Sequence, residues 1–256
     1  MKIELFNIGG VSVHSYGLMI GIGFLLALIM GCVRAKKQGL NDDAIIDIAI
    51  IAALGGFAGA KLLFVIINFK EFFKSPMAVL GSAGFVVYGG IISGVLVSVI
   101  YCHVKKLKFM EYFDLVMPEI ALAQGFGGIG CFLAGCCYGR ETDSAFGVVF
   151  PENSMAPAGV KLIPTQLISA AGDFIIAGVL VWIAYRFLNK EKKLIAGDVG
   201  CIYLLMYGVG RFAVEFLRND YRGAVGFLST SQFISVFIVA LGVTLMVYNR
   251  KRQKAC

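Results

Sequence analysis

Residues 13–34 read VHSYGLMIGIGFLLALIMGCVR, and no side chain between His14 and Arg34 carries a formal charge. A helix needs about 20 mostly apolar residues to cross the hydrocarbon core of a bilayer, so this run is long enough to span one. Working outward along the chain, comparable stretches recur at roughly 43–66, 85–102, 114–138, 164–186, 199–218 and 230–249. With 59% hydrophobic and only 15% charged residues among 256, the composition departs from soluble domains, where about 25% are charged. The sequence predicts an all-α integral membrane protein of seven transmembrane helices, residues 1–256 forming one membrane domain.

Charge is distributed by topology. Fourteen of the 23 basic residues fall in alternate connections and the C-terminal tail: Arg34, Lys36, Lys37, Lys105, Lys106, Lys108, Arg186, Lys190, Lys192, Lys193, Arg250, Lys251, Arg252 and Lys254. The opposite connections and the N-terminus hold seven: Lys2, Lys70, Lys74, Arg140, Lys161, Arg218 and Arg222. The positive-inside rule then places the N-terminus outside and the C-terminus in the cytoplasm of a multi-pass protein. A net charge of +7 spread in this way argues for the bilayer rather than nucleic acid as partner. The opening residues lack a separate short apolar core and cleavage site, so no removable signal peptide is expected. Two longer outer segments, about 67–84 and 139–163, collect Gly, Pro and Ser and read as a lid or an interfacial stretch.

Lys61 and Arg211 fall inside spans, where an ionisable group faces the bundle interior by default. At 1.5 Å per residue from the outer ends, Lys61 lies about 8 Å deep, Cys131 about 10 Å, Arg211 about 10 to 12 Å and Asp173 about 13 Å. His14, Tyr16 and Tyr88 begin their spans at the same surface. Arg211, Glu215 and Arg218 are spaced i, i+4 and i+7, which stacks them on one helical face. This is either a charge ladder that holds the bundle together or a site for an anion, since one Glu cannot neutralise Lys61 and both arginines. The glycines of LGGFAGAK, YGGIISG and GFGGIG read as close helix packing, and also as a wall that leaves room for substrate.

Seven cysteines are present. Cys32, Cys102 and Cys201 read as small apolar filler near cytoplasmic ends, and Cys256 is terminal. Cys131, Cys136 and Cys137 lie toward the oxidising side. They read either as a disulfide of Cys131 with Cys136 or Cys137, or as a thiolate with its pKa lowered by Arg140, Lys61 or Arg211. No metal-ligand spacing or phosphate-binding fingerprint is evident, and no cofactor is predicted.

HSYGLM (14–19), GGFAGAK (55–61), YGGIISG (88–94), GGIGCFLAGCCYGR (127–140), FGVVFP (146–151), PTQL (164–167) and GVGRFAVEFLR (208–218) together resemble the bacterial prolipoprotein diacylglyceryl transferase family over nearly the whole chain. The resemblance implies transfer of diacylglycerol from phosphatidylglycerol to the lipobox cysteine of a lipoprotein precursor, with release of glycerol phosphate. Tyr16, Gly17, Gly89, Gly90, Gly130, Gly139, Gln166, Arg211 and Glu215 stand where the family pattern expects them. Lys61 replaces an arginine, which keeps the charge but loses the bidentate fork. Tyr88 replaces a histidine, Gly128 an arginine, Cys131 an asparagine, and Cys136 and Ser169 glutamates.

The resulting expectation assigns catalysis to Arg211, with Tyr88, Cys131 or Cys136 handling the proton or a covalent intermediate. Tyr16, His14, Lys61, Gly89, Gly90, Gly139, Arg140, Gln166 and Glu215 are assigned to substrate binding. The other readings are the same fold with a different acceptor, a non-catalytic lipid-binding or transport protein, and a membrane thiol oxidoreductase.

Overall fold

The computed structural model describes residues 3–8, 11–188, 195–220 and 223–255. Lys2, Lys190, Lys192, Lys193, Arg222 and Cys256 lie outside the described residues. In chain order the elements are β1 (Glu4–Ile8), β2 (Val11–His14), α1 (Ser15–Gln38), α2 (Asp43–Ile67), α3 (Phe69–Lys74), α4 (Pro76–Gly81), α5 (Val87–Val104) and α6 (Phe109–Ala134). Then come β3 (Val148–Val149), β4 (Lys161–Leu162), α7 (Thr165–Leu188), α8 (Asp198–Glu215), β5 (Ala224–Val225), β6 (Leu228–Ser229) and α9 (Thr230–Ala255). Helix dominates, as expected, and three antiparallel two-stranded hairpins are added to it: β1 with β2, β3 with β4, and β5 with β6. Residues 13 and 14, read as the start of the first span, belong to β2 instead, and α1 begins at Ser15, whose backbone N–H donates to Ile3 O.

Among the described residues, six helices are long and apolar enough to cross a membrane: α1, α2, α5, α6, α7 and α9. Their outward side chains, among them Leu25, Leu54, Ile92, Trp182 and Phe237, remain exposed, as lipid-facing residues must. The stretch read at 199–218 does form a helix, α8, but Asp198, Arg211 and Glu215 set it apart from the other six. The segment 67–84, read from the sequence as outer, contains α3 and α4, with Phe69, Phe73, Met77 and Leu80 exposed.

The residues group into two compact units. The unit of residues 31–112 centres on α2 packed against α5. A Cβ on Gly59 would stand 2.6 Å from Gly89 O, and one on Gly89 would stand 2.4 Å from Gly59 O, so only glycine allows this approach. Ser93 Oγ donates across the seam to Gly55 O at 2.9 Å, and the Tyr101 hydroxyl donates to the Asp47 carboxylate.

The unit of residues 1–30 and 113–256 is held by Ala121 of α6, Ile176, Ala177, Leu180 and Ala184 of α7, and Val199 and Tyr203 of α8. The Tyr203 hydroxyl donates to Gln124 Oε1 at 2.8 Å, which satisfies two polar groups in the apolar interior. The Asp114 carboxylate accepts from the backbone N–H groups of Gly197 and Gly200 at 2.6 and 2.8 Å, where it completes the otherwise unpaired N-terminal turn of α8. A second cluster, Phe150, Ala156 and Leu162, anchors the β3–β4 hairpin against Phe132 and Tyr138. The first cluster fixes the middle of α6 and the N-terminal half of α8, and the second fixes the C-terminal end of α6.

Candidate active site

The last turn of α8 and its exit carry the charge. Arg211 Nη2 lies 2.8 Å from Glu215 Oε2, and it donates to Ser231 Oγ of α9 at 3.0 Å. Glu215 Oε1 accepts from Ser229 Oγ at 3.0 Å, and its other oxygen is 3.9 Å from Arg218 Nε. The helix ends at Glu215, and the following turn lets Arg218 fork onto Asp220 through Nε and Nη2 at 2.9 and 2.6 Å. Asp220 went unread in the sequence because it lies beyond the helical repeat. Within the ladder Arg211 and Arg218 are therefore matched by Glu215 and Asp220. Asp173 of α7 stands within electrostatic reach of Arg211, in keeping with the depth at which the sequence placed it.

Beside the Arg211–Ser231 contact, one helical turn along, α8 and α9 leave a cleft of about 270 Å³. Gly208, Val209, Phe212, Ser235, Val236 and Val239 line it, and its surface is almost wholly apolar. A guanidinium at the head of an apolar cleft suits an anionic head group with an acyl chain behind it.

The three outer cysteines meet at the end of α6. The helix closes in a Schellman motif: Cys136 N–H donates to Cys131 O at 3.1 Å, Gly135 N–H donates to Phe132 O at 3.2 Å, and Gly135 takes φ +75°. That motif brings the first and last of these residues together, and Cys136 Sγ donates to Cys131 O at 3.7 Å. Cys137 then adopts φ +62°, a left-handed conformation that a side chain normally avoids, and all three sulfurs lie within 4.8 Å of one another. No disulfide joins Cys131 to Cys136 or Cys137 in this structure, and the three sulfurs stand as a close cluster. Nor does the site lower the Cys136 pKa as expected. The neighbouring Cys131 pulls it down, but Cys137 and burial outweigh that effect and push it up to about 11. Tyr16 stands in electrostatic reach of the three cysteines, and Arg218 reaches the Cys137 side chain.

The polypeptide around this turn is tightly pinned. Gln166 Nε2 donates to Cys136 O at 2.6 Å and Thr165 Oγ1 donates to Cys137 O at 2.8 Å. Gln166 Oε1 is buried without a hydrogen-bond donor among the described residues. Gly139 N–H donates to Ile163 O at 3.0 Å and Arg140 N–H to Leu217 O at 2.9 Å; a Cβ at Gly139 would lie under 3 Å from both carbonyl oxygens. Arg140 is held there by its backbone, with its side chain exposed. Gly128, in the family's arginine position, is packed shut by α7: a Cβ there would meet Ala170 Cβ at 2.9 Å and Gln166 O at 3.0 Å.

Lys61, Tyr88, Gly89 and Gly90 belong to the unit of residues 31–112. Lys61 Nζ donates to Ser82 O at 2.7 Å, Ser82 Oγ at 3.3 Å and Gly84 O at 3.3 Å, and lies 4.9 and 5.1 Å from the Phe85 and Phe64 ring centres. No carboxylate pairs with it among the described residues. Gly89 and Gly90 form the α2–α5 seam, and Tyr88 is exposed at the start of α5. In the other unit His14 is exposed in β2, 3.8 Å from Glu4 Oε1, with Nδ1 3.2 Å from Ser12 O.

The family model for prolipoprotein diacylglyceryl transferase matches residues 3–248. A Clostridium perfringens protein named phosphatidylglycerol–prolipoprotein diacylglyceryl transferase 2 is 46% identical, over 99% of this chain and 98% of its own. The Clostridium tetani protein of that name, without the numeral, is 44% identical over 99% and 100%. A Staphylococcus aureus relative with that same name is 32% identical over 96% and 88%. The Schellman turn, the pinned Gly139 and the Arg211–Glu215 pair all fall within the matched region, and the chain belongs to the prolipoprotein diacylglyceryl transferase family.

Proposed function

We infer that this chain transfers the diacylglyceryl group of phosphatidylglycerol to the lipobox cysteine of a lipoprotein precursor. The acceptor thiol loses its proton, its sulfur forms a bond to the terminal glyceryl carbon, and the carbon–oxygen bond to the phosphate breaks. Glycerol phosphate leaves with the electron pair. The enzyme has to hold an anionic head group within an apolar environment and stabilise charge that grows on the departing phosphate.

The observation that carries this reading is the position of Arg211, fixed by Glu215 and Ser231 at the head of the apolar α8–α9 cleft. The cleft takes acyl chain and the guanidinium takes phosphate. Gln166 Oε1, which has no donor among the described residues, accepts from a head-group hydroxyl. Tyr16 of α1, and Gly139 and Arg140 in the chain that follows α6, act as positioning groups.

The test is glycerol phosphate release from phosphatidylglycerol vesicles by pure protein, with and without a lipobox peptide bearing one cysteine. Peptide-dependent release with a diacylglyceryl mass gain is expected, and Arg211→Gln abolishes it. Release at an unchanged rate in Arg211→Gln removes this residue from the site, and modification of a different acceptor but not the peptide replaces the acceptor.

The same reading makes α8 a seventh span of a single membrane domain in the bacterial inner membrane, with the N-terminus outside, the C-terminus cytoplasmic and no nucleic-acid partner. Pairing of Arg211 with Glu215 is what makes the helix tolerable in lipid. A reporter active only in the cytoplasm, fused to the C-terminus, should be active; an inactive but stable fusion would reverse the topology.

A further inference from the structure

Two of the three cysteines at the end of α6 meet for an ordinary reason. A Schellman turn places the residue three before its cap beside the residue two after it, and here these are Cys131 and Cys136. Cys137 has no such reason to join them. It takes φ +62° at a cost of about 1 kcal/mol, and the effect is to bring a third sulfur within 4.8 Å of the other two. The carbonyls of Cys136 and Cys137 are both fixed by α7 side chains, Gln166 and Thr165, so the turn that presents the sulfurs is held in place. Outer-shell bonding of this kind is what orients metal ligands. Sulfur–sulfur separations of about 3.8 Å suit three thiolates around zinc at about 2.3 Å each, which the half-buried cluster reaches by small side-chain rotations.

We propose that Cys131, Cys136 and Cys137 form a three-thiolate site for one zinc(II) ion, with a fourth position open to the acceptor thiol. This rests on the transferase reading above. Three thiolates on a divalent cation leave one net negative charge, and the Arg218 guanidinium against Cys137 offsets it. Zinc sites that do chemistry keep three protein ligands and one exchangeable position, and a thiol that enters that position gives up its proton. With zinc bound, the released proton would go to water and the acceptor sulfur would attack the glyceryl carbon as the bond from that carbon to the phosphate oxygen breaks; glycerol phosphate would leave with the electron pair, and the thioether produced, a poor ligand, would depart. Zinc stays divalent throughout, so no oxidant or reductant is required.

The test uses the full-length protein in detergent. Elemental analysis should give about one zinc per chain, falling at least several-fold in Cys131→Ser, Cys136→Ser and Cys137→Ser. Cobalt(II) in place of zinc should give sulfur-to-metal charge-transfer absorption that shifts on adding a lipobox peptide with cysteine, and not one with serine. Should the variants fail to fold, protection of the wild-type thiols from N-ethylmaleimide by added zinc decides the point. Absence of stoichiometric metal and of cobalt absorption, or a Cys131–Cys136 disulfide in active protein, overturns the proposal. So does undiminished glycerol phosphate release after chelation, and that outcome leaves the transferase reading standing. A peptide-responsive metal site without any release would instead retain the site and remove the transferase reading.

Discussion

Replacing Glu215 by Gln tests whether the α8 charge cluster is a coupled unit. Glu215 is 6% exposed in its side chain and Arg211 17%, so both partners are largely removed from water. The amide keeps the volume and can still accept from Ser229, but it takes away the negative charge 2.8 Å from Arg211 Nη2 and 3.9 Å from Arg218 Nε. Breaking a buried pair by removing one partner typically costs 3–5 kcal/mol, because the surviving charge is left uncompensated. Arg211 retains Ser231, Arg218 retains Asp220 and Asp173 is in range, so the lower end, about 3 kcal/mol, applies here. Thermal unfolding in detergent of the wild type, E215Q, R211Q and the double variant forms a cycle that isolates the pair. Coupling of about 2 kcal/mol or more is expected, with E215Q mild once Arg211 is gone. Additive single effects, or E215Q losses under about 0.5 kcal/mol, would refute the view that Glu215 holds Arg211.

Asp220→Asn should leave Arg218 with one distant carboxylate and lower stability by about 1 to 3 kcal/mol in the same unfolding assay, and an unchanged midpoint would show the fork to be idle. Gly59→Ala forces a Cβ to within 2.6 Å of Gly89 O and onto Ser93 Oγ, so α2 and α5 must separate. A loss of about 1 to 3 kcal/mol is expected, and a neutral result would disprove the close seam. Val209→Trp fills the α8–α9 cleft without touching Arg211, and should raise KM for phosphatidylglycerol vesicles about tenfold while leaving the fold intact. An unaltered KM would separate the cleft from lipid binding.

Membrane class and most helices were legible because they depend on composition over some 20 residues, which a single sequence reports well. The i, i+4 spacing of Arg211 and Glu215 was legible for the same reason, being local. Asp220 was not, since its contact with Arg218 depends on how the chain turns after α8 ends. The short hairpins escaped notice because two-residue strands such as Val148–Val149 leave no periodic signal. The sulfur cluster was partly legible. Gly135, followed by a chain that cannot continue the helix, marks a Schellman cap, and that alone would have placed Cys136 beside Cys131. The third sulfur depends on a left-handed Cys137, which side-chain identity argues against.

Gly128 shows how these departures from the family pattern fit together. An arginine there would need several ångströms that α7 does not leave, because Ala170 and the Gln166 carbonyl already touch the space a single Cβ would take. The glycine lets α7 approach α6 closely, and it is α7 that carries Thr165 and Gln166 to the carbonyls of Cys136 and Cys137. Restoring the arginine alone would push α7 away and loosen the cysteine turn. The small residue at 128 and the sulfurs at 131, 136 and 137 are therefore parts of one arrangement, in which a fixed turn of soft ligands replaces a cationic and carboxamide face. On the function proposed above, phosphate recognition is the task of α8, where Arg211 already has its carboxylate and its hydroxyl in place.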